Sequence, residues 1–255
     1  RERTLPGKFL DYFVGYGATS GGSLYTDIPQ TYDEIAGRED SEDWLRAVDS
    51  ELKSLKANNV WQLMTCPAGV KPLKSKWVFR LKEDENGRPV RYKARLVAKG
   101  YLQKPGRDFE ETYAPVVRLA TIRAALAVGV HRKFYFHQMD VRTAFLHGRL
   151  KETIYMDVPA GVQAKPDQAC RLIKSLYGLK QSPRCWNERF NEELLKMGFT
   201  RSKHDYCLYV KLNPNDELIL ILYVDDLMVA GRNLSSIEKL KQDLQGWKKI
   251  TSSDK

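Results

Sequence analysis

Cysteine is scarce in this chain. Four occur in 255 residues, Cys66, Cys170, Cys185 and Cys207, and no two stand at the C-x-x-C spacing of a zinc-ligand pair. That excludes a cysteine-paired zinc module and a disulfide scaffold, and it predicts reduced thiols in a cytosolic or nuclear setting. The four histidines do not cluster with the cysteines. No apolar run approaches the ~20 residues of a membrane span, and no signal-peptide pattern is visible. Neither a membrane partner nor secretion is expected. Acid is in deficit, with 32 Asp and Glu against 42 Lys and Arg, a formal net charge of +10. The excess suits a polyanion such as nucleic acid, although a merely basic surface has the same composition. What the chain does have is core: 42% hydrophobic residues, over a length that suits one large domain or two subdomains.

Residues 1–27 are rich in Gly, Ser and aromatics without periodicity and read as a linker or extended arm. The first residue is Arg, which suggests a piece of a longer polypeptide. "SEDWLRAVDSELKSLKANN" (41–59) is an amphipathic helix with Trp44, Leu45, Val48, Leu52 and Leu55 on one face. "KWVFRLKEDENGRPVRYKARLVAKG" (76–100) is a hairpin turning at Asn86–Gly87. Its polar positions are mostly basic and alternate with Trp77, Phe79 and Tyr92. That mixture reads as a phosphate-contacting surface, or as a solvated hairpin face. A helix from Leu119 to Val130 follows, then a strand "FYFHQMD" ending on Asp140. "VRTAFLHG" reads as a tight turn and a short helical piece, and "TIYMDVP" and "CRLIK" as short strands. "SPRCWNERFNEELLKMG" (182–198) is a helix, with Ser182 as cap, Pro183 in the first turn and Gly198 at the end. "LSSIEKLKQDL" is a last helix, with Ser235 and Glu238 at capping-box spacing.

Before that helix stands "LILILYVDDLMVAG", residues 218–231. Two β-prone apolar runs flank Val224, Asp225 and Asp226, so a tight turn is expected there. The usual Gly or Asn hairpin signal is missing. Aspartate is a common turn residue, and a plain polar turn is one reading. The other starts from cost: paired carboxylates beside buried strands lose hydration and repel, and a shared cation removes both problems. From residue 134 onward the elements describe an α+β sheet with helices on one face. If the strand ending at Asp140 neighbours this hairpin, three carboxylates converge. Hard divalent ions such as Mg²⁺ favour such oxygens, and two of them ~3.5–4 Å apart serve phosphoryl displacement.

"YVDD" in an apolar hairpin resembles the active-site box of reverse transcriptases. "HQMDVRTAFLHG" resembles the first aspartate motif of copia-type long-terminal-repeat retrotransposons, and "SLYGLKQSPRCWNERF" that family's nucleotide- and template-holding motif. The 76–100 hairpin and "FEETYAPVVRLATIRAALAV" are similar to its fingers region. The likeness spans about residues 28 to 244, with the blocks in family order.

It implies a right-hand polymerase fold. Residues 28–130 would be fingers and 131–245 a palm with a ferredoxin-like antiparallel sheet, between an arm (1–27) and a tail (246–255). It implies that Asp140, Asp225 and Asp226 hold two Mg²⁺ (Mn²⁺ as a substitute), with the Val141 carbonyl as a further ligand. Phe145 would stack under the sugar and exclude a 2′-hydroxyl, or else be ordinary core. Gln181 would contact the incoming nucleotide. Lys82, Lys93 and Arg95 are the candidates for the triphosphate, Tyr223 for the primer end with Val224 beside it, and Arg80 and Arg91 for primer or template. Trp186 and Cys185 read as core, and His137 and His147 as packed or surface residues. The partners implied are deoxynucleoside triphosphates and a primed RNA or DNA template. The family continues past Leu244 with an apolar, acidic strand and a thumb. "QGWKKITSSDK" is not recognisable as either, so a truncated copy is expected: a polymerase core, or an inactive remnant that binds nucleic acid.

Overall fold

The computed structural model describes residues 28–84, 88–213, 216–247 and 250–252. The arm (1–27) and the turn at Asn86–Gly87 lie outside them. Among the described residues, four helices and eleven strands follow in chain order: α1 (Ser41–Ala57), β1 (Trp61–Thr65), β2 (Ser75–Glu83), β3 (Pro89–Ala98), α2 (Leu119–His131), β4 (Tyr135–Val141), β5 (Tyr155–Met156), β6 (Gln168–Leu172), α3 (Ser182–Lys196), β7 (Thr200–Arg201), β8 (Leu208–Asn213), β9 (Asp216–Tyr223), β10 (Asp226–Gly231), α4 (Leu234–Trp247) and β11 (Ile250–Ser252). A short 3₁₀ turn, Ala144–His147, follows β4.

The largest sheet has the order β11-β4-β10-β9-β8-β7, and every pairing in it is antiparallel. Alternation sorts its side chains. Met139 and Val141 of β4, Leu227 and Val229 of β10 and Leu220 and Leu222 of β9 share one face, where they are buried. α3 covers that face, with the Tyr209 hydroxyl donating to Asn191 Oδ1 at 3.2 Å. α4 covers it too: a Cβ added to Gly231 would lie 3.3 Å from Ile237. α2, which precedes the segment from residue 134 onward, packs on the opposite face. Gly129 of α2 is glycine because the Phe136 ring fills the space, and an added Cβ would stand 2.3 Å from it. The N-terminus of α2 is tied to the sheet's far end by Asp205. That carboxylate accepts from Arg118 N–H (3.0 Å), Thr121 Oγ1 (2.6 Å) and Cys207 N–H (2.9 Å).

A second core gathers α1, the β2–β3 hairpin and the three-stranded sheet β1-β6-β5. Trp44 is fully buried at its centre, edge-on to Phe79 (5.4 Å) and Tyr92 (4.7 Å). Leu45, expected in the stripe of α1, is exposed, because the helix turns Trp44, Val48 and Leu55 inward instead. β1 pairs with β6, Trp61 opposite Leu172, a contact with no local signal in the sequence.

The ends of two helices differ from expectation. Ser182 lies inside α3, not at its cap, and its hydroxyl donates to the Leu176 carbonyl at 2.5 Å. α4 begins one residue before Ser235, and Glu238 pairs with Lys241 at 3.1 Å. Past Leu244 the described residues form the last turn of α4 and β11, which pairs with the edge of β4. All four cysteines are free thiols.

Candidate active site

Asp140 and Asp226 stand directly opposite each other on β4 and β10, on the same face of the sheet. Tyr223 pairs with Asp226, which leaves Val224 and Asp225 as a two-residue turn. Of these two, only Val224 has a positive φ, +58°. Those are the signs of a II′ turn, whose first position normally belongs to glycine. A β-branched residue there is strained, at a cost on the order of 1–3 kcal/mol.

The surroundings hold the turn. The Trp186 indole Nε1–H donates to the Val224 carbonyl at 2.7 Å. The Val141 N–H donates to the Asp225 carbonyl at 2.9 Å. Asp140, Asp225 and Asp226 are all half-buried. Burial pushes the Asp225 carboxyl above the usual carboxylate range. The charges of Asp226 and Asp140 push the same way, and Arg95 opposes them. Among the described residues no three His, Cys, Asp or Glu side chains are already drawn together at metal-ligand spacing. The backbone pairs Asp140 with Asp226 and places Asp225 in the adjoining turn.

The β2–β3 hairpin supplies the opposite charge. In its register Arg80 faces Lys93 and Lys82 faces Arg91, so Arg80, Lys82, Arg91, Lys93 and Arg95 share one face. Lys93 and Arg95 are half-buried, while Arg80, Lys82 and Arg91 are exposed. Burial holds the Lys93 ammonium below its ordinary range, helped by Arg95, Arg91 and Lys82, and Asp140 acts against them. Lys93 thus feels Asp140, and Arg95 feels Asp225. The aromatics of this hairpin are not interleaved with the cations in space. Trp77 and Phe79 are buried and Tyr92 partly buried on the other face, against α1, as strand alternation requires.

Phe145 is buried in the 3₁₀ turn, its carbonyl accepting from the Ser175 hydroxyl. Its ring lies edge-on to Tyr177 at 5.2 Å. The Arg95 guanidinium sits 4.9 Å over the same Tyr177 ring. Burial pushes the Tyr177 phenol well above its ordinary range. Tyr177 packs against both cores and joins the cationic strand to the 3₁₀ turn after β4. Gly178, next to it, has φ +90°, and a Cβ there would lie 2.2 Å from the Ala98 carbonyl. Only glycine allows this loop to sit so close to β3.

Gln181 is 1% exposed. Its Oε1 accepts from Gln103 at 3.0 Å and its Nε2 donates to the Asp108 carbonyl at 2.9 Å. The structure employs this amide inside the protein, and a direct nucleotide contact would have to break those bonds. Tyr223 is exposed at the rim of a half-open cleft of about 350 Å³, lined by Ile122, Phe136, Ile221, Met228 and Asp226 among others. His147 is buried against Trp186 and Trp247, and His137 lies 3.7 Å from Glu238. Cys185 is buried, with its thiol pushed up to about 12 by burial.

Tyr177 carries no expectation from sequence, and Trp186, expected as core, is core that also donates to the turn. One signal was available for each. "SLYGLKQ" places an aromatic beside a glycine that must hug another strand, and a buried indole N–H needs an acceptor.

Antiparallel strands presenting acids at a strained hairpin, opposite a basic strand, suit a nucleotidyl-transfer enzyme, and comparison with known families gives the class. Residues 58–252 match the family described as reverse transcriptase (RNA-dependent DNA polymerase), and the chain belongs to it. Among its relatives is the retrovirus-related Pol polyprotein from transposon TNT 1-94 of Nicotiana tabacum, 42% identical over 219 residues. That match covers 85% of this chain and 16% of the relative. The Pol polyprotein from transposon RE2 of Arabidopsis thaliana is 40% identical over 74% of this chain and 13% of its own length. A Ty1 Gag-Pol polyprotein of Saccharomyces cerevisiae is 30% identical over 66% of this chain and 9% of its own length. The resemblance to copia-type elements is thus shown, and the chain spans less than a fifth of these polyproteins.

Proposed function

We propose that this chain is the fingers and palm of an RNA-directed DNA polymerase from a copia-type retrotransposon. It would add deoxynucleotides to a primer 3′-hydroxyl on an RNA or DNA template, in the cytoplasm or nucleus. The carrying observation is the direct pairing of Asp140 with Asp226 beside the Val224–Asp225 turn. In this reading the six-stranded sheet is the palm. Its β4-α3-β9-β10-α4-β11 path, with the order β11-β4-β10-β9, is that of a ferredoxin-like sheet. The β2–β3 hairpin belongs to the fingers.

Asp140, Asp225 and Asp226 fit two Mg²⁺ ions, with Mn²⁺ as substitute. They are hard oxygen donors, two on paired strands and one in the turn between strands, and burial first, then the neighbouring carboxylates, raise the Asp225 carboxyl, a cost that a cation would relieve. The Val141 carbonyl is the further ligand of this reading. When bound, the ions supply activation of the 3′-hydroxyl and charge neutralisation on the departing pyrophosphate. The chain's own residues do the positioning. Lys93 and Arg95 take the triphosphate, with Lys82 farther out, because these two cations are the ones that feel the acids. Arg80 and Arg91 meet the primer–template backbone, and Tyr223 the primer end. Phe145, steadied by Tyr177, lies under the sugar. Gln181 supports this site through the 103–108 loop.

Primer extension on a poly(rA)–oligo(dT) duplex tests the reading. Mg²⁺-dependent incorporation of dTTP is expected, and no incorporation by the folded chain with either Mg²⁺ or Mn²⁺ would overturn it.

A further inference from the structure

We propose that Trp186 is a positioning residue for Asp225. Its indole N–H keeps the hairpin turn in the one backbone conformation that aligns Asp225 with Asp140 and Asp226. The inference rests on the polymerase reading and adds to it a residue on a helix that carries none of the acids.

Two peptide planes flank the Asp225 Cα. The carbonyl of the first, Val224 C=O, accepts from Trp186 at 2.7 Å. The carbonyl of the second, Asp225 C=O, accepts from Val141 at 2.9 Å. With both planes pinned, φ and ψ of Asp225 are fixed, and so is the direction in which its carboxylate leaves the chain. The first plane is the vulnerable one. Val224 sits at φ +58°, a region that β-branched residues avoid. Rotating that peptide would relieve the valine, but it would carry the carbonyl away from Trp186 and leave a buried donor unpaired.

The donor itself cannot follow. Trp186 is 1% exposed, with its ring 5.1 Å from Phe190 and stacked at 19° on Trp247 of α4, centroids 6.2 Å apart. The strain at Val224 is therefore sustained by a fixed indole. A phenylalanine would fill most of the same space and supply no N–H.

Trp186→Phe tests this. Its kcat for Mg²⁺-dependent extension should fall about ten- to a hundredfold, with KM for dTTP and the Kd for primer–template within about twofold. Trp186→Phe/Val224→Gly should recover much of the kcat, because glycine holds the positive φ unaided. A merely structural role for the ring would show no such rescue. Amide hydrogen exchange gives a reading independent of activity: exchange at the Val224–Asp225 turn should speed up in Trp186→Phe, while β9 and β10 stay protected. The Trp186 indole resonance, identified by its loss in Trp186→Phe, should also shift when Mg²⁺ is added to the parent chain.

Unchanged exchange at the turn, or an undiminished kcat, would overturn the brace. A parent chain that neither extends primers nor responds to Mg²⁺ would overturn the polymerase reading instead. The exchange experiment would still decide whether Trp186 holds the turn.

Discussion

Burial, and with it two neighbouring carboxylates, favours the protonated form of Asp225. A carboxyl whose folded pKa is raised binds its proton more tightly in the native state. Its charge therefore costs stability as pH rises from the ordinary carboxylate range through the raised value, and that stability returns on acidification. Asp225→Asn should abolish extension and remove this pH dependence. Without metal, thermal melting between pH 4 and 7 should show the variant as stable as the parent or more so, and a large loss of stability would contradict the assignment. Phe145 yields a second test. If its ring excludes a 2′-hydroxyl, Phe145→Val should raise the ribo-to-deoxy ratio of kcat/KM about tenfold, equivalent to ~1.4 kcal/mol. An unchanged ratio with a lowered melting point would leave Phe145 as packing beside Tyr177. The acids were legible because charge inside an apolar hairpin is conspicuous at the level of single letters. Val224 was not, since nothing in "YVDD" says that a valine takes the glycine position; only the bonds from Trp186 and Val141 make that conformation hold.

Elements were legible where their signals are local. The periodicity of α1 and α2, the alternation of β4 and the two strands of the acidic hairpin all appear near their expected bounds. The hairpin aromatics were misjudged although the rule was available: Trp77 and Phe79 alternate with Lys76, Val78 and Arg80, so rings and cations had to part company. The docking of α2 was invisible, because its cap comes from Asp205, far along the chain. Burial works to raise the Asp205 carboxyl, but the bonds from Thr121, Arg118 and Cys207 outweigh it and hold it below the usual range. Its contribution is therefore complete above the ordinary carboxylate pKa and is lost as pH falls through the depressed value. Asp205→Ala should cost about 2 kcal/mol in urea unfolding at pH 7. The difference from the parent should shrink in acid, and a difference that stayed constant down to pH 2 would contradict the linkage.

Across the whole molecule, charge is the simplest quantity to test. A net +10, with Arg80, Lys82, Arg91, Lys93 and Arg95 on one face of the β2–β3 hairpin, predicts primer–template binding through phosphates. Affinity should fall steeply with salt, by about 0.9 log unit per phosphate neutralised for each tenfold rise. Arg80→Gln/Arg91→Gln should flatten that slope by about two contacts while leaving sequence preference unchanged, and a parent whose affinity ignored salt would refute the surface. The pairing of β1 with β6 carries a consequence for synthesis. Trp61–Thr65 leaves the ribosome long before Gln168–Leu172, its partner in the sheet. α1 and the β2–β3 hairpin close on each other early, because they are neighbours in sequence, while β1 waits with its peptide groups unmatched. A ribosome that stops before the codon for Gln168 therefore holds a nascent chain with an open strand edge, able to recruit the same strand from the next ribosome on the message.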